Sequence, residues 1–399
     1  MRTEVAVVGG GSTGASVLYH LARSGSESPL LIERGPSVAS GQTSRSTALV
    51  RTHYTVPVVA RMALLSYRFF RDFESMLPGY SAGYRETGLL IGVDRDSEGR
   101  VRESLRTFAE MGIDSSFVDR DALGRIEPLL DAGQFSSVVY EPHMGYAEPS
   151  ATAGSFAGAA ERLGARVVTG AALLKVERAS GGRYPYSLTT TAGVVEAGSV
   201  VLATGVWSAP LLEPLGIALP IKPVRHPVAV FVRPEGFRGL RPAVFDFVRS
   251  AYYKAEGQSL LFVGSMEAEL DASSAPADPD RYDEGVTFEE VEKYSLWTSQ
   301  AFPIMGARGR YESGYSGLYD NTPDQQPIID ELSEHGYPGL HCLVGLSGHG
   351  FKLCPEFGRV MASLVLTGGF DDYDVSVFGL KRFETGDLLR SGYGVSTVG

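Results

Sequence analysis

Apolar and polar positions along the chain follow two different periods, and the switches between them outline its elements. Glu4 to Val8 (EVAVV) is a short run rich in β-branched residues, the pattern of a strand buried on both faces. It leads into Gly9-Gly10-Gly11-Ser12-Thr13-Gly14, after which Ala15 to Arg23 places Val17, Leu18 and Leu21 on one helical face. Leu30-Leu31-Ile32 predicts a second strand, ending at Glu33, and completes a compact β-α-β unit. Helical spacing predicts further helices at about 58–73, 103–111, 151–163 and 287–301. Strands are predicted at 88–93, 166–168, 172–177 and 199–205, and alternation adds more within 223–232 and 250–264. The segment 340–353 (LHCLVGLSGHGFKL) reads as a strand, a glycine loop and the start of a helix. Between elements, the polar stretch 41–55 carries Arg45, Arg51 and His53, and 271–283 reads as a surface loop.

Composition narrows the function. With 43% hydrophobic and 21% charged residues over 399 positions, the chain is an ordinary globular protein able to build one or two cores. A net charge of −11 repels phosphate backbones and excludes an electrostatic nucleic-acid footprint. No apolar run approaches the roughly eighteen residues of a membrane span. The N-terminus opens on a strand pattern and lacks the basic and apolar regions of a signal peptide. Cys342 and Cys354 could pair, but two thiols in so large a chain favour an unpaired, intracellular reading. A cytoplasmic enzyme is expected, with no bound metal.

Gly9-x-Gly11-x-x-Gly14 sits where a dinucleotide needs it. The first glycine permits the tight turn out of the strand, the second lets the backbone approach a pyrophosphate, and the third lets helix and strand pack closely. The helix N-terminus offers free N–H groups and partial positive charge to the phosphates. Glu33 ends the second strand, where it can accept hydrogen bonds from ribose hydroxyls and would repel the extra phosphate of NADP. A glycine-rich turn with only structural duty is the bland alternative. This fingerprint by itself leaves FAD and NAD open.

Three later segments separate them by resemblance. Ser199–Trp207 (SVVLATGVW) resembles the returning strand of glutathione-reductase-type FAD proteins. Gly317–Asp330 (GLYDNTPDQQPIID) and Gly345–Leu353 (GLSGHGFKL) are more specific. Together with the N-terminal motif they resemble the D-amino-acid oxidase superfamily of FAD-dependent oxidoreductases, in its sarcosine oxidase and dimethylglycine dehydrogenase-like branch. The likeness runs in order from residue 3 to about residue 370. It implies an α/β fold, in which a glutathione-reductase-type Rossmann FAD-binding domain (1–83, 146–224 and 326–399) joins a mixed-sheet α+β substrate domain (84–145 and 225–325). It also implies a set of cofactor-binding residues. These are Gly9, Gly11, Ser12, Thr13, Gly14, Glu33 and Arg34 at the fingerprint, and Thr43, Ser44, Ala48 and Leu49 in the polar stretch. Val176, Ala203, Thr204, Gly205 and Trp207 follow from the middle of the chain, and Gly345, Gly348, His349, Gly350, Phe351 and Lys352 from its end.

Oxidising an amine by hydride transfer requires a neutral nitrogen, an α-C–H aimed at the flavin and an immobilised carboxylate. A planar guanidinium can grip a carboxylate through two parallel bonds, and a lysine adds a point charge. By resemblance, Arg51 and Lys352 form this clamp, while the residues alone also allow a surface ion pair and a helix cap. Tyr319 corresponds to a tyrosine on the substrate side of the flavin, Tyr253 is a second candidate, and His53 lies close enough in sequence to touch substrate or flavin. The family cysteine that carries covalent flavin falls near Gly317, so FAD is expected to be non-covalent. The lysine credited with promoting reaction with oxygen falls near Phe262, which leaves oxygen and another electron acceptor both open. A family histidine falls near Met266, pointing to a bulkier or more apolar substrate than sarcosine. The expectation is FAD-dependent oxidation of a small, secondary or N-alkyl amino acid to an imine. The alternatives are a 2-hydroxy-acid or alcohol dehydrogenase and a flavin subunit of a larger complex. Homo-oligomerisation and a partner subunit both stay open.

Overall fold

The computed structural model describes residues 1–267 and 274–392. β1 (Arg2–Val8), α1 (Ser12–Arg23) and β2 (Leu30–Ile32) form the unit that the apolar pattern predicts. β1 pairs in parallel with β2 on one side and with Gly193–Leu202 on the other, and its two faces bury Val5 and Val7 in one core and Ala6 and Val8 in another, so its sequence has no polar alternation. Arg166–Val168 extends this sheet beyond β2, and the antiparallel strands Tyr186–Thr190 and Leu173–Arg178 extend it past Gly193–Leu202. Leu340–Val344 pairs in parallel with the C-terminal end of Gly193–Leu202 and holds Ile328–Glu331 at its own far edge. Gly193–Leu202 starts well before the predicted 199–205. Its first half lies in an edge hairpin where buried Val195 and Ala197 alternate with exposed Val194 and half-buried Glu196, so it lacks the continuous apolar run of the second half.

Among the described residues a second sheet holds eight strands. Lys222–Val232 lies between Arg310–Asn321 and Leu260–Ser265, followed by Ala251–Glu256, Ala243–Asp246, Leu89–Val93, Ser137–Glu141 and Ser116–Val118. One face packs against the helix Phe288–Ala301 and its continuation, with Tyr253, Tyr294, Phe302 and Met305 in the core. The opposite face carries Tyr252, His226, Val228 and Tyr319 towards the first sheet's loops. A small sheet of Leu49–Val50, Arg85–Glu86 and Gly145–Tyr146 stitches the two together.

The predicted helices are all present, with shifted ends. Pro57–Arg71 and Pro149–Arg162 each begin at proline, whose fixed φ suits the first helical turn. Glu98–Met111 begins earlier than predicted, because its first turn is charged and only Val101 and Phe108 are buried. The loop expected at 271–283 is irregular and largely exposed over 274–283, and its start lies outside the described residues.

Candidate active site

A cavity of about 910 Å³ opens between the two sheets. Its dinucleotide half is walled by Gly9, Gly11, Ser12 and Thr13 at the β1–α1 turn and by Glu33 and Arg34 after β2. Thr43, Ala48 and Leu49 line it from the polar stretch, and Ala203, Thr204, Gly205 and Trp207 from the end of Gly193–Leu202. Gly348, Gly350, Phe351 and Lys352 reach the same space from the opposite end of the chain. These sequence-assigned residues therefore converge on one cavity.

The remaining cofactor assignments do not reach it. Gly14 serves packing, since a Cβ there would sit 1.9 Å from the Gly9 carbonyl oxygen. Ser44 turns its hydroxyl to the Gly41 carbonyl at 3.0 Å. Val176 points into the core beneath the first sheet, and Ala171, Ala172 and Leu173 form the wall at that side instead. Gly345 holds its turn at φ +65° behind the cavity-facing Leu346. His349 is fully buried and faces away from the cavity towards Tyr54 and Gln325.

The dinucleotide half fits FAD by its donor chemistry. The first N–H of α1, that of Ser12, donates to Thr43 Oγ1 at 3.0 Å, and no acidic residue lies in the first turn, so the positive end of the helix dipole is left to favour phosphate. Glu33 accepts from Gly10 N–H and from Gly35 N–H, both at 2.6 Å, and keeps further lone pairs on each oxygen for ribose hydroxyls. Arg34 lies over the Trp207 ring at 4.6 Å and reaches Asp280 at 2.8 Å, while Trp207 Nε1 donates to the same carboxylate at 3.1 Å. Arg45 pairs with Glu284 at 2.8 Å. Asp280 and Glu284 belong to a segment of the second sheet's loops that borders the cavity beside these residues.

The other half carries the candidate chemistry. Arg51 is 3% exposed, with its guanidinium over the Tyr54 ring at 4.0 Å and near Phe245 at 5.4 Å, and it donates to the His53 carbonyl. Lys352 Nζ donates to the Gly348 carbonyl at 2.9 Å. Desolvation, and then the charge of Arg51, hold the Lys352 ammonium well below its usual range. Tyr319 lies against Gly348 and stacks on His226 with ring centroids 3.8 Å apart. Val228, Phe245, Tyr252, Met266 and Phe351 complete a mainly apolar wall.

Two sequence candidates fall elsewhere. His53 is fully buried, with Nδ1 2.9 Å from Glu141 and its ring edge-on to Phe108, so it anchors the segment behind Arg51 rather than facing a ligand. Tyr253 points into the second sheet's core against Phe302, and its neighbour Tyr252 lines the cavity. The alternation held the signal for this: Ala251, Tyr253 and Ala255 share one strand face, and Tyr252 and Lys254 the other. His226 was missed although its strand was read, because alternation alone does not say which strand face meets the cavity. Phe262 does not line the cavity. A buried cation, Lys254, sits across from it at 5.3 Å but is bound to Glu256 at 2.5 Å. Gly317 borders the cavity opposite His226 and offers no nucleophile.

Fold and cavity together define a dinucleotide-binding oxidoreductase scaffold of the Rossmann class, closed by a second, mixed sheet. The DAO family model, described as FAD dependent oxidoreductase, matches residues 4–364. The chain belongs to this family and is an FAD-dependent oxidoreductase. Monomeric sarcosine oxidase of Bacillus sp. (strain B-0618) is 24% identical over 95% of this chain and 96% of its own length. Sarcosine oxidase subunit beta of Arthrobacter sp. is 26% identical over 97% and 92%. Among solved structures, L-proline dehydrogenase from P. horikoshii shares the fold, with a TM-score of 0.86 at 24% identity over 97% of this chain and 99% of that one. No helix among the described residues is long and apolar enough to cross a membrane.

Proposed function

We propose that this chain oxidises the C–N bond of a small secondary or N-alkyl amino acid, giving an imine that water hydrolyses. The observation that carries this reading is the convergence of Arg51 and Lys352 on the cavity that holds the dinucleotide fingerprint. Arg51 offers a planar fork to the carboxylate, and Lys352 adds a charge that only an arriving anion stabilises. FAD, when bound, supplies the acceptor for the hydride that leaves the α-carbon. As that hydride leaves, the neutral nitrogen turns its lone pair into the C=N bond, and the resulting iminium releases its N–H proton to solvent to give the imine. Tyr319, His226 and Tyr252 wall the reacting end and keep bulk water from it. Val228, Phe245 and Met266 favour an apolar or cyclic substituent over a polar one.

The names of the relatives, two of them sarcosine oxidases, support an amino-acid donor. Gly317 supports non-covalent FAD, and acid precipitation should then release the flavin into the supernatant. Phe262, where the resemblance puts the oxygen-promoting lysine, stands off the cavity lining, so oxygen and another acceptor both stay open. The partition of strands between two sheets supports the discontinuous FAD and substrate domains set out above. The likeness to a subunit beta supports a partner-dependent form of the same activity, and the two buried free thiols are consistent with a cytoplasmic setting. The test is anaerobic mixing with N-alkyl, cyclic and D-amino acids beside matched 2-hydroxy acids. Bleaching of the visible flavin band by a secondary amino acid supports the reading, and bleaching by hydroxy acids alone overturns it. Readmitting air separates oxidase from dehydrogenase by how fast the colour returns.

A further inference from the structure

Arg51 and Lys352 lie far apart in sequence, yet a buried hydrogen-bonded pair joins the segments that carry them. The ring of Tyr54 supports the Arg51 guanidinium at 4.0 Å. Its hydroxyl lies 3.0 Å from His349 Nδ1, on the loop that opens the helix of Lys352. His349 Nε2 lies 3.1 Å from the Gln325 carbonyl oxygen. A carbonyl only accepts, so Nε2 carries the ring proton and Nδ1 accepts from the tyrosine. Burial, with Lys352 and Arg51 nearby, holds the imidazole well below its usual range and keeps it neutral. Burial likewise pushes the Tyr54 hydroxyl up to about 12, so it stays a donor. Tyr54 is 1% exposed, His349 is fully buried, and neither lines the cavity.

We propose that the Tyr54–His349 bridge is a positioning device that fixes Arg51 and Lys352 relative to each other, so that both meet one carboxylate. The inference rests on the clamp reading of those two residues. Its physical basis is geometric. The guanidinium lies on the Tyr54 ring, so any tilt of that ring moves the fork. His349 sits just before the first turn from which Lys352 projects. Bidentate capture tolerates little displacement, and losses of affinity follow small misplacements. Removing the hydroxyl keeps the ring under Arg51 but frees its tilt and leaves Nδ1 as a buried, unpaired acceptor.

The test uses the full chain loaded with FAD and titrated with propionate, a carboxylate with no amine, read from the shift of the flavin spectrum. Tyr54→Phe is expected to weaken propionate about tenfold. For the amine substrate it should raise KM about as much, while changing the limiting rate of flavin reduction by no more than about threefold. His349→Gln should do the same, and the double variant should be no weaker than about the worse single one, because both remove one bond. Tyr54→Phe with propionate affinity within about twofold of wild type overturns the proposal, as does a double variant whose losses simply add. If His349→Gln does not fold, the Tyr54→Phe result decides alone. Arg51→Gln separates the two readings. If it leaves propionate binding intact, the clamp itself is wrong. If it abolishes binding while Tyr54→Phe does not weaken it, only the bridge fails.

Discussion

Near neutral pH an exposed lysine is charged, whereas desolvation and Arg51 hold Lys352 well below that range. An arriving carboxylate offers the compensating charge and raises its pKa again, so binding takes up a proton whenever the pH lies above the free-enzyme value. Affinity for a simple carboxylate should therefore fall as pH rises through that window, and calorimetry in buffers of different ionisation enthalpy should detect the uptake. In Lys352→Met both effects should vanish, and affinity in the wild type that stays flat as pH rises to the ordinary lysine range would contradict this assignment. At this scale the sequence revealed charge and chemistry more readily than direction. Arg51 and Lys352 were singled out only through resemblance, since many arginines and lysines can grip a carboxylate and no local signal says which of them reach the cavity. The anchoring role of His53 was not legible, because its partner Glu141 lies on a distant strand. Tyr252 and Tyr253 differ only in which sheet face they take, and that depends on knowing which face meets the cavity.

Elements were readable wherever one face or both were buried, as with β1, α1 and Gly350–Thr367. Arg310–Asn321 was not read as a strand, although it carries Gly317 and Tyr319. Its first four residues are exposed, and glycines interrupt its alternation. Its end turns into a buried ion pair that no local pattern announces. Arg382 Nε lies 2.8 Å from Asp324, with both side chains almost wholly buried, and Arg382 also donates to the Gln326 and Phe378 carbonyls. Arg382→Met should leave that carboxylate uncompensated and cost about 3–5 kcal/mol, read as an earlier urea midpoint. A loss below about 1 kcal/mol would show that the pair is not needed to lock the turn. The crossing of α1 with Gly350–Thr367 is a second such constraint. A Cβ at Gly358 would come within 2.2 Å of Ser16 Oγ, so Gly358→Ala should cost about 1–3 kcal/mol and also lower the midpoint.

Across the whole molecule, the cavity exists because loops of one sheet close over the end of the other. The Rossmann half of that arrangement was legible from one glycine motif and one acid. The second sheet's role was legible only through resemblance, since its strands come from separated stretches whose order no local signal fixes. Asp280 and Glu284, reaching Arg34, Trp207 and Arg45, are among the contacts that join the second sheet to the dinucleotide half, beside Arg45 to the Ser316 carbonyl and Leu318 N–H to Gln42. The Arg34–Asp280 pair is largely exposed and therefore open to screening by salt. Asp280→Ala should speed release of FAD by about threefold to tenfold at low salt, measured by recovery of free-flavin fluorescence, and high salt should narrow the gap. Equal release rates would remove that segment from cofactor retention. The central claim is that one cavity holds an amino acid by its carboxylate while its C–N bond is oxidised. The most direct measurement is anaerobic flavin reduction by a bleaching secondary amino acid and by its methyl ester, in wild type and in Arg51→Gln. The account predicts that the wild type reduces at least about a hundredfold faster with the acid than with the ester, and that the variant loses most of this difference. Equal rates with acid and ester in the wild type would contradict it.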